Sequence, residues 1–437
     1  MDTAYKTIKE KLTSIIKEMS SSPWLFVKKP DKDFTRNRKL SFETVLRLLL
    51  GMGGGSLQVE LLKHSGFSMD TASSSAFVQQ RGKLLPFALE FILHEFTISL
   101  PDMQQHKGYR LLAVDGSVFH TPTNANEPDN YFVNRPGEKG YNLFHLNAMY
   151  DLCNKVYMDA LIQSRREMNE NGAMAAMVDR SHIPGNVIVI ADRGYESYNN
   201  LAHIEQKGWN YLIRIKDIGS SGILSGIKVP QASEFDISIQ RILTKKQTNQ
   251  IKSQSDVFRF LSGRVSFDFL TSKENEFYPI NLRIVRFKIS DDAYETIVTN
   301  LDMNLFPPDE LKNLYNMRWG IETSFRELKY AIGLSAFHSK KMAFIIQEVF
   351  ARLIMYNFSE RIVAHIIIQQ NKRHHIYQID FTIAARICRH FFRSRDDPYP
   401  TDVEALIVKY ILPVRTGRRF LRDVRCRQAV SFLYRLA

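Results

Sequence analysis

The spacing of apolar residues in the first 107 positions predicts helices. Apolar side chains recur every three or four residues from Phe42 to Leu50, stop at the glycine-rich segment 51–55, and resume at Leu57. A third helix is expected to begin in the Ser/Thr-rich segment 71–75, where hydroxyl groups can cap it. This pattern is typical of helical DNA-binding domains and of other small helical bundles. The candidate DNA-contacting residues are Gln79, Gln80, Arg81 and Lys83.

From residue 108 onward the pattern changes to that of β-strands, which are rich in apolar residues and bounded by turn-forming ones. The continuous apolar segment 187–191 predicts a strand that is buried on both faces of a parallel or mixed sheet. Residues 217–290 are more polar and alternate weakly, which predicts a β-rich insertion that includes a strand at 264–270. Helical spacing returns after residue 300 and continues to residue 365. The other predicted elements are strands at 110–119, 144–152, 155–163 and 211–216 and a helix at 173–181.

The composition is that of a soluble protein. Hydrophobic residues make up 44% of the chain, which excludes long disorder as its main state. No uninterrupted apolar segment reaches the ~18 residues that a membrane span requires, and the N-terminus lacks the apolar part of a secretion signal. We therefore expect a cytoplasmic protein without a membrane partner. Cysteines and histidines show no zinc-ligand spacing, so the following are expected to be structural: His120, His145, His374 and His375.

The charge of the chain favours a polyanion as its partner. Lys and Arg number 59 against 46 Asp and Glu, which leaves a net charge of +13, although a basic enzyme without such a partner is the alternative. Residues 372–437 contain fourteen Lys or Arg and six Asp or Glu, so they carry +8 of this charge. They include a basic cluster at 414–427 and helically spaced arginines, which suit either phosphate contact or a solvated helix face. These arginines are Arg386, Arg389, Arg393 and Arg395.

Three carboxylates lie where predicted elements begin or end. Asp115 follows one apolar strand, Asp192 follows another, and Glu322 lies in a helix that is expected to begin near Pro308. The ends of strands are where α/β sheets carry their binding and catalytic residues. Each aspartate also has an ordinary interpretation, because Asp115-Gly116 could form a hairpin turn and Asp192 could cap a turn or a helix.

Four polar residues fall on one face of that helix. At about 100° per residue, Tyr315, Arg318, Glu322 and Lys329 lie within a sector of roughly 60°. The alternative to a functional face is an exposed stripe of salt bridges, since Arg318 and Glu322 are an i,i+4 pair. Trp319 points about 40° away from Tyr315 and is expected to pack in the core, with stacking on a nucleic-acid base as the alternative.

These segments together resemble a known family. The motifs VDGS at 114–117, ADRGYESYN at 191–199 and Y-x-x-R-W-x-I-E-x-x-F-R-x-L-K at 315–329 are similar to those of the DDE transposases of bacterial insertion sequences. Within that family they resemble the branch marked by a Tyr-Arg-Glu-Lys signature and a β-strand insertion, and the resemblance covers most of the chain. It implies an α/β fold, with an RNase H-like catalytic core that a β-rich insertion interrupts. The implied domains are an N-terminal helical DNA-binding domain at 1–107, the catalytic domain at 108–365 with its insertion at about 217–290, and a C-terminal basic helical domain at 366–437.

The resemblance also implies the roles of the site residues. Asp115, Asp192 and Glu322 would be the DDE triad and would hold two Mg²⁺ ions, for which Mn²⁺ can substitute. Carboxylate oxygens suit Mg²⁺, and two such ions about 3.5–4 Å apart can assist an in-line displacement at phosphorus. The remaining signature residues, Tyr315, Arg318 and Lys329, would hold phosphates of the transposon end.

The function implied by the resemblance is transposition. The enzyme would bind the terminal inverted repeats of its element, cleave the DNA there, in related enzymes through hairpin ends, and join the 3′-hydroxyls to target DNA. Its partners would be double-stranded DNA and a second copy of the chain in a synaptic complex, with no nucleotide cofactor, and it would act at the bacterial nucleoid. The alternatives are a metal-dependent endonuclease of the same fold without strand transfer and a catalytically silent DNA-binding derivative.

Overall fold

The structure is a computed structural model that describes residues 4–36, 38–270, 276–290, 293–369, 375–394 and 402–414. Its α-helices are α1 (Ala4–Ser21), α2 (Phe42–Gly51), α3 (Leu57–His64), α4 (Ser74–Arg81), α5 (Ala88–Ser99), α6 (Glu170–Arg180), α7 (Tyr198–Gln206), α8 (Asn249–Ser253), α9 (Pro308–Met317), α10 (Trp319–Tyr330), α11 (Met342–Val363), α12 (Phe381–Arg393) and α13 (Val403–Lys409). Its strands are β1 (Tyr109–Thr121), β2 (Tyr131–Phe132), β3 (Tyr141–Asp151), β4 (Val156–Ser164), β5 (Asn186–Ala191), β6 (Asn210–Ile215), β7 (Phe235–Thr244), β8 (Phe258–Phe260), β9 (Phe277–Ser290), β10 (Ala293–Thr299), β11 (Tyr377–Ile379) and β12 (Ile411–Pro413). Short 3₁₀ turns lie at Pro23–Phe26 and Arg193–Tyr195.

A large mixed sheet forms the centre of the molecule. Strand β1 pairs antiparallel with β3, which pairs antiparallel with β4, while the other edge of β1 pairs parallel with β5 and β5 pairs parallel with β6. Three antiparallel strands continued by two parallel ones, with helices α5, α6, α10 and α11 packed on them, make an RNase H-like core. Every residue of β5 after Asn186 is buried, as the continuous apolar pattern of 187–191 predicts for a strand covered on both faces. The fold class expected from the sequence is therefore confirmed.

The β-rich stretch after β6 extends this sheet. Strand β10 pairs antiparallel with β6, β9 with β10, and β7 with β9, and the short strand β8 adds to β7. The predicted strand at 264–270 is wrong, because this segment forms turns. Phe267 and Leu270 are buried without sheet pairing, whereas Val265 is exposed. The ring centroids of Phe267 and Phe269 lie 5.2 and 5.9 Å from that of Tyr278 on β9, so the aromatic residues of this segment belong to a loop that packs on the sheet.

Serine caps begin the helices that the N-terminal pattern predicts. The hydroxyl oxygens of Ser41, Ser56 and Ser73 accept backbone N–H bonds at the starts of α2, α3 and α4. The glycine-rich segment 51–55 includes the end of α2 and the turn to α3, as expected. Two backbone N–H groups of this turn donate to the buried carboxylate of Glu60, at 2.9 and 3.0 Å, so the turn wraps around a charged side chain.

Helix α11 explains the most apolar stretch of the chain. It is buried along nearly all of its length, against α1, α2 and α5 on one side and β4 on another. The helix expected in this region is confirmed, but α11 lacks the helical spacing of apolar residues expected up to residue 365, because a helix covered all round needs no separate polar face. Among the residues that the structure describes, no helix has both the length and the apolar character needed to cross a membrane.

Two sets of basic residues turn inward, where the sequence suggested contact with DNA or solvent. Arg81 is fully buried and pairs with Glu348 at 2.8 Å, and Gln80 is buried beside it, so neither offers a surface group for DNA. On α12, Arg389 donates to the carbonyl of Ile332, and Arg393 pairs with Glu60.

Phosphate contact and a solvated face are therefore both wrong for Arg389 and Arg393, whereas Arg386 on the same helix is exposed. Arg395 and nearly all of the basic cluster at 414–427 lie outside the described residues. The three domain limits expected from the sequence stay predictions.

Candidate active site

The end of the parallel pairing between β1 and β5 places Asp115 and Asp192 at neighbouring positions. The parallel pairing of β1 with β5 ends at Val114 opposite Ala191, and each aspartate is the next residue of its chain segment. Strand β1 does not stop there: it runs on to Thr121 while still paired with β3, so the hairpin-turn interpretation of Asp115-Gly116 is wrong. Asp192 does cap a turn, since its Oδ1 accepts the N–H of Gly194 at 2.8 Å. In α/β sheets a cleft opens beyond the carboxyl ends of parallel strands, and both aspartates directly follow the last parallel pair of β1 and β5.

The third acid reaches this cleft from the helical region. The single helix expected from Pro308 is in fact two helices, α9 and α10, which meet at Arg318 in a tight turn with helical backbone angles. From this turn the Arg318 guanidinium lies 2.9 Å from Glu322 Oε1 and 3.7 Å from Asp115 Oδ2. Arg318 thus connects the third acid of the predicted triad to the first.

The electrostatics of Asp115 show that the acids act on one another. Burial raises the pKa of Asp115 to about 6, and the negative charges of Asp192 and Glu322 add to the rise, although the Gly116 N–H and the Arg318 guanidinium oppose it. A carboxylate with a raised pKa is one whose charge is poorly compensated. One guanidinium therefore does not neutralise this cluster.

The three acids fit the divalent cations that the family implies. Their donor set consists of carboxylate oxygens, which Mg²⁺ prefers, and the uncompensated charge at Asp115 is what a cation would offset. Asp115, Asp192 and Glu322 would be the residues that hold it.

A tighter group of possible ligands lies elsewhere and has another explanation. In the described part of the chain, only Glu90, His94 and Asp159 bring three ligand atoms within 4.8 Å of one another. The guanidinium of Arg180 lies among them, 2.8 Å from Glu90 and 2.6 Å from Asp159. Arg180 already supplies the positive charge there, so this group is a structural ion-pair cluster.

The other signature residues face the sheet instead of solvent. Tyr315 is only 3% exposed and Arg318 only 6%, so the exposed salt-bridge stripe is wrong, although the Arg318–Glu322 pair itself forms. Lys329 is half-buried, donates to the hydroxyl of Ser117 at 2.9 Å and lies 4.4 Å from the ring centroid of Phe119. Both partners of Lys329 follow Asp115 on β1. Arg318 and Lys329 therefore both contact the strand that carries the first acid.

Trp319 differs from its expected position. The indole is 54% exposed, so packing in the core is wrong, and the Arg318 guanidinium carbon lies 5.0 Å from its ring centroid. The helix start at Trp319 turns this side chain outward while its neighbour Arg318 turns inward. An aromatic surface thus lies beside the acids.

Two residues of this region carried no signal that identified them from sequence. His145 on β3 is buried, as expected of a structural histidine, but its Nε2 lies 3.1 Å from Oε1 of Glu170, the first residue of α6. A β-carbon at Gly116 would lie 2.3 Å from that Nε2, which explains why glycine follows Asp115. Only the helix cap at Asn169 could have pointed to Glu170, by marking it as the start of a helix.

Comparisons with known proteins identify the family of the chain. The sequence profile of the family described as "Transposase DDE domain" matches residues 106–358, which is more than half of the chain. No curated protein matches the chain. Among solved structures, the chain is similar to piggyBac transposase in a cryo-EM synaptic complex with hairpin DNA, at 12% identity and a TM-score of 0.41. That match covers 90% of this chain and 79% of the other, and it is too distant to carry further argument.

Proposed function

The chain belongs to the transposase DDE domain family, and we propose that it is the transposase of a bacterial insertion sequence. It would bind the terminal inverted repeats of its own element, cleave the DNA at the element ends and join the 3′-hydroxyls to target DNA. Membership of the family makes it a DNA transposase. The bacterial element, the Tyr-Arg-Glu-Lys branch and a route through hairpin ends belong to the proposal, which the signature at 315–329 supports.

The observation that carries the proposal is the grouping of three acids around Arg318 and the end of the β1–β5 pairing. Asp115 and Asp192 follow the last parallel pair of β1 and β5, and Arg318 links Asp115 to Glu322. Two Mg²⁺ ions held by these acids, or Mn²⁺ in their place, would activate the attacking oxygen and stabilise the leaving oxygen of the phosphodiester.

The signature residues offer free donors for a phosphate. The Tyr315 hydroxyl and the Arg318 Nε are buried without a hydrogen-bond partner among the residues described. Buried donors of this kind are costly unless something pairs with them, and a phosphate oxygen entering the cleft would do so. Lys329 would give up its hydrogen bond to the Ser117 hydroxyl and pair its positive charge with the phosphate. Trp319, exposed beside Arg318, is available to stack on a base of the DNA end.

The partners proposed are DNA and a second copy of the chain. The DNA would be double-stranded, first the inverted repeats and then the target, and two ends held together would require a dimer in the synaptic complex. We propose that the helices of residues 1–107 bind DNA and that the basic segment 366–437 assists, in a protein that acts in the bacterial cytoplasm. The net charge of +13 supports these assignments.

A supercoiled plasmid tests the proposal. It would carry two copies of the short inverted repeats that flank the coding region, and the protein would be added with Mg²⁺. Excised element ends and their products joined to a target plasmid are expected. Nicks or linear products without joining would indicate an endonuclease. Binding of the repeats without cleavage would indicate a catalytically silent derivative.

A further inference from the structure

We infer that Glu170 is a fourth carboxylate of the divalent-cation site and that the buried imidazole of His145 positions it. The inference rests on the proposed function, because it extends the metal site of Asp115, Asp192 and Glu322. It adds a residue on α6, an element that the signature motifs do not touch.

The first turn of α6 is fixed to the loop that carries Asp192. Asn169 caps the helix by accepting the N–H of Gly172 at 2.9 Å. Asn171 donates to the carbonyl of Gly194 at 3.4 Å and accepts from Asn200 at 2.6 Å. These bonds hold the start of α6, and with it the backbone of Glu170, against the turn that follows Asp192.

The carboxylate of Glu170 lies between the two aspartate segments. A β-carbon built on Gly116 would be 2.8 Å from Glu170 Oε1, and one built on Gly194 would be 3.9 Å from Oε2. Gly116 directly follows Asp115, and Gly194 gives the N–H that Asp192 accepts. One oxygen of Glu170 therefore lies near each aspartate segment, and the lack of a β-carbon at Gly116 leaves the room for it.

A buried phenol supports a site at this point independently. Tyr195 is 1% exposed, and its hydroxyl has no hydrogen-bond partner in the described part of the chain. Burial, followed by the negative charges of Asp115, Glu170 and Asp192, raises the pKa of Tyr195, so its hydroxyl lies within reach of the field of all three carboxylates. A buried hydroxyl without a hydrogen-bond partner close to three acids needs an explanation, and a bound ligand that orders those acids would supply one.

The position of His145 fits a positioning role. The ring is buried on β3, with its Nε2 3.1 Å from Oε1 of Glu170, and neither ring nitrogen has a hydrogen bond of good geometry among the described residues. Because the imidazole is shielded from solvent, Glu170 is the group at hand for its Nε2, and this contact would hold the glutamate at the cleft. The ordinary alternative is that Glu170 only completes an ion pair with His145 and stabilises the start of α6.

Metal affinity distinguishes the two interpretations without use of catalytic activity. Titration of the full-length protein with Mn²⁺ in a calorimeter is expected to show affinity lowered at least about tenfold in Glu170→Gln, as for other residues that hold or orient metal ligands. The matched control is Glu167→Gln, an exposed carboxylate three residues earlier, which should bind Mn²⁺ like the wild type. Unchanged affinity in Glu170→Gln, with normal folding by circular dichroism, would overturn the inference.

A second measurement locates the ion. Fe²⁺ with ascorbate and peroxide cuts the backbone next to the site where the iron binds, and cuts are expected near residues 115, 170 and 192. Absence of the cut near 170 in the wild type would refute a fourth ligand.

The role of His145 is tested by a double-mutant cycle on Mn²⁺ affinity. His145→Gln should weaken binding, and adding it to Glu170→Gln should cause no further loss, because the histidine acts through the glutamate. Additive losses would contradict positioning. These readouts are separate from transposition. If the protein joins no DNA ends but Glu170→Gln still lowers Mn²⁺ affinity, the proposed function fails and the inference stands. If the protein is an active transposase but Glu170→Gln binds Mn²⁺ like the wild type, only the inference fails.

Discussion

Two clusters of charged side chains in this molecule both combine carboxylates with arginine and have opposite character. The active-site cluster consists of Asp115, Asp192, Glu322 and Arg318. The interhelical cluster, which joins the N-terminal helices to α11 and α12, consists of Arg81, Glu348, His338, Glu60 and Arg393. In the first the carboxylates outnumber the cations, and in the second each carboxylate has several donors.

The pKa values express this difference. Burial alone would raise the pKa of Glu348, but the hydrogen bond from His338 and the charge of Arg81 lower it to about 2. Burial of Glu60 is outweighed in the same way by the Gly53 N–H and by Arg393, so its pKa is also about 2. Asp115, by contrast, has a pKa of about 6. A carboxylate whose charge is compensated by several donors stabilises the fold, whereas one whose charge is poorly compensated can bind a ligand such as a cation.

The largest expected effect is on catalysis. Asp115→Asn removes one charge and one ligand from the active-site cluster, so plasmid cleavage should fall by at least on the order of 10³-fold, because stabilisation of the transition state is lost. Binding of the element ends, measured by gel shift, should remain. Cleavage within tenfold of the wild-type rate would show that Asp115 is not part of the reaction and would end the contrast between the clusters.

The next effect is on stability and lies in the interhelical cluster. Glu348→Gln leaves Arg81 buried without its carboxylate, which should lower the free energy of unfolding by about 3–5 kcal/mol. Urea denaturation measures it. The control is Asp70→Asn at the exposed pair with Lys39, which should change stability little. Equal effects of the two substitutions would mean that burial does not distinguish these pairs.

The pH dependence of stability should have opposite sign in the two clusters. The folded pKa of Asp115 lies above its ordinary value of 3.8, so its ionisation opposes folding between about pH 4 and 6 and fully above pH 6. At pH 7 in EDTA, Asp115→Asn should therefore be more stable than the wild type by up to about 3 kcal/mol, and by almost nothing at pH 4.

Glu60 and Glu348 have folded pKa values below their ordinary 4.5, so the stability they contribute is present above that pH and is lost as the pH falls toward 2. Denaturation curves at pH 3, 4 and 7 check both signs. If Asp115→Asn were less stable than the wild type at pH 7, the charge of Asp115 would not be poorly compensated.

The smallest effect concerns the space beside Asp115. The β-carbon of Gly116→Ala would overlap the His145 ring, so the strand or the ring must shift, at a stability cost of about 1–3 kcal/mol. The cleavage rate should fall as well, because Asp115 is the adjacent residue. Gly263→Ala is the control, since its β-carbon would meet nothing within 4 Å among the described residues. Thermal unfolding and plasmid cleavage of the two variants measure the contrast.

Much of this site could be predicted from sequence. The apolar segments before Asp115 and Asp192 fixed where the strands lie, and helical spacing put Tyr315, Arg318, Glu322 and Lys329 on one face. These predictions were possible because strand and helix patterns depend on residues that are close to one another in sequence. Whether that face met solvent or the sheet was not predictable, since it depends on packing against β1.

Charged residues show the limit most clearly. Arg81 looked like a DNA contact because nothing near it in sequence opposes its charge, yet its partner Glu348 is 267 residues away. Glu170 lacked any motif, and only the fold brings it beside Gly116 and Gly194.

The sequence by itself determined the family, the strand pattern and the positions of three acids, because local periodicity and motif spacing are written in consecutive residues. The tertiary structure decided which carboxylate charges are compensated, because compensation depends on donors brought together from distant segments. For that reason the same kind of side chain stabilises the fold at Glu348 and carries a poorly compensated charge at Asp115.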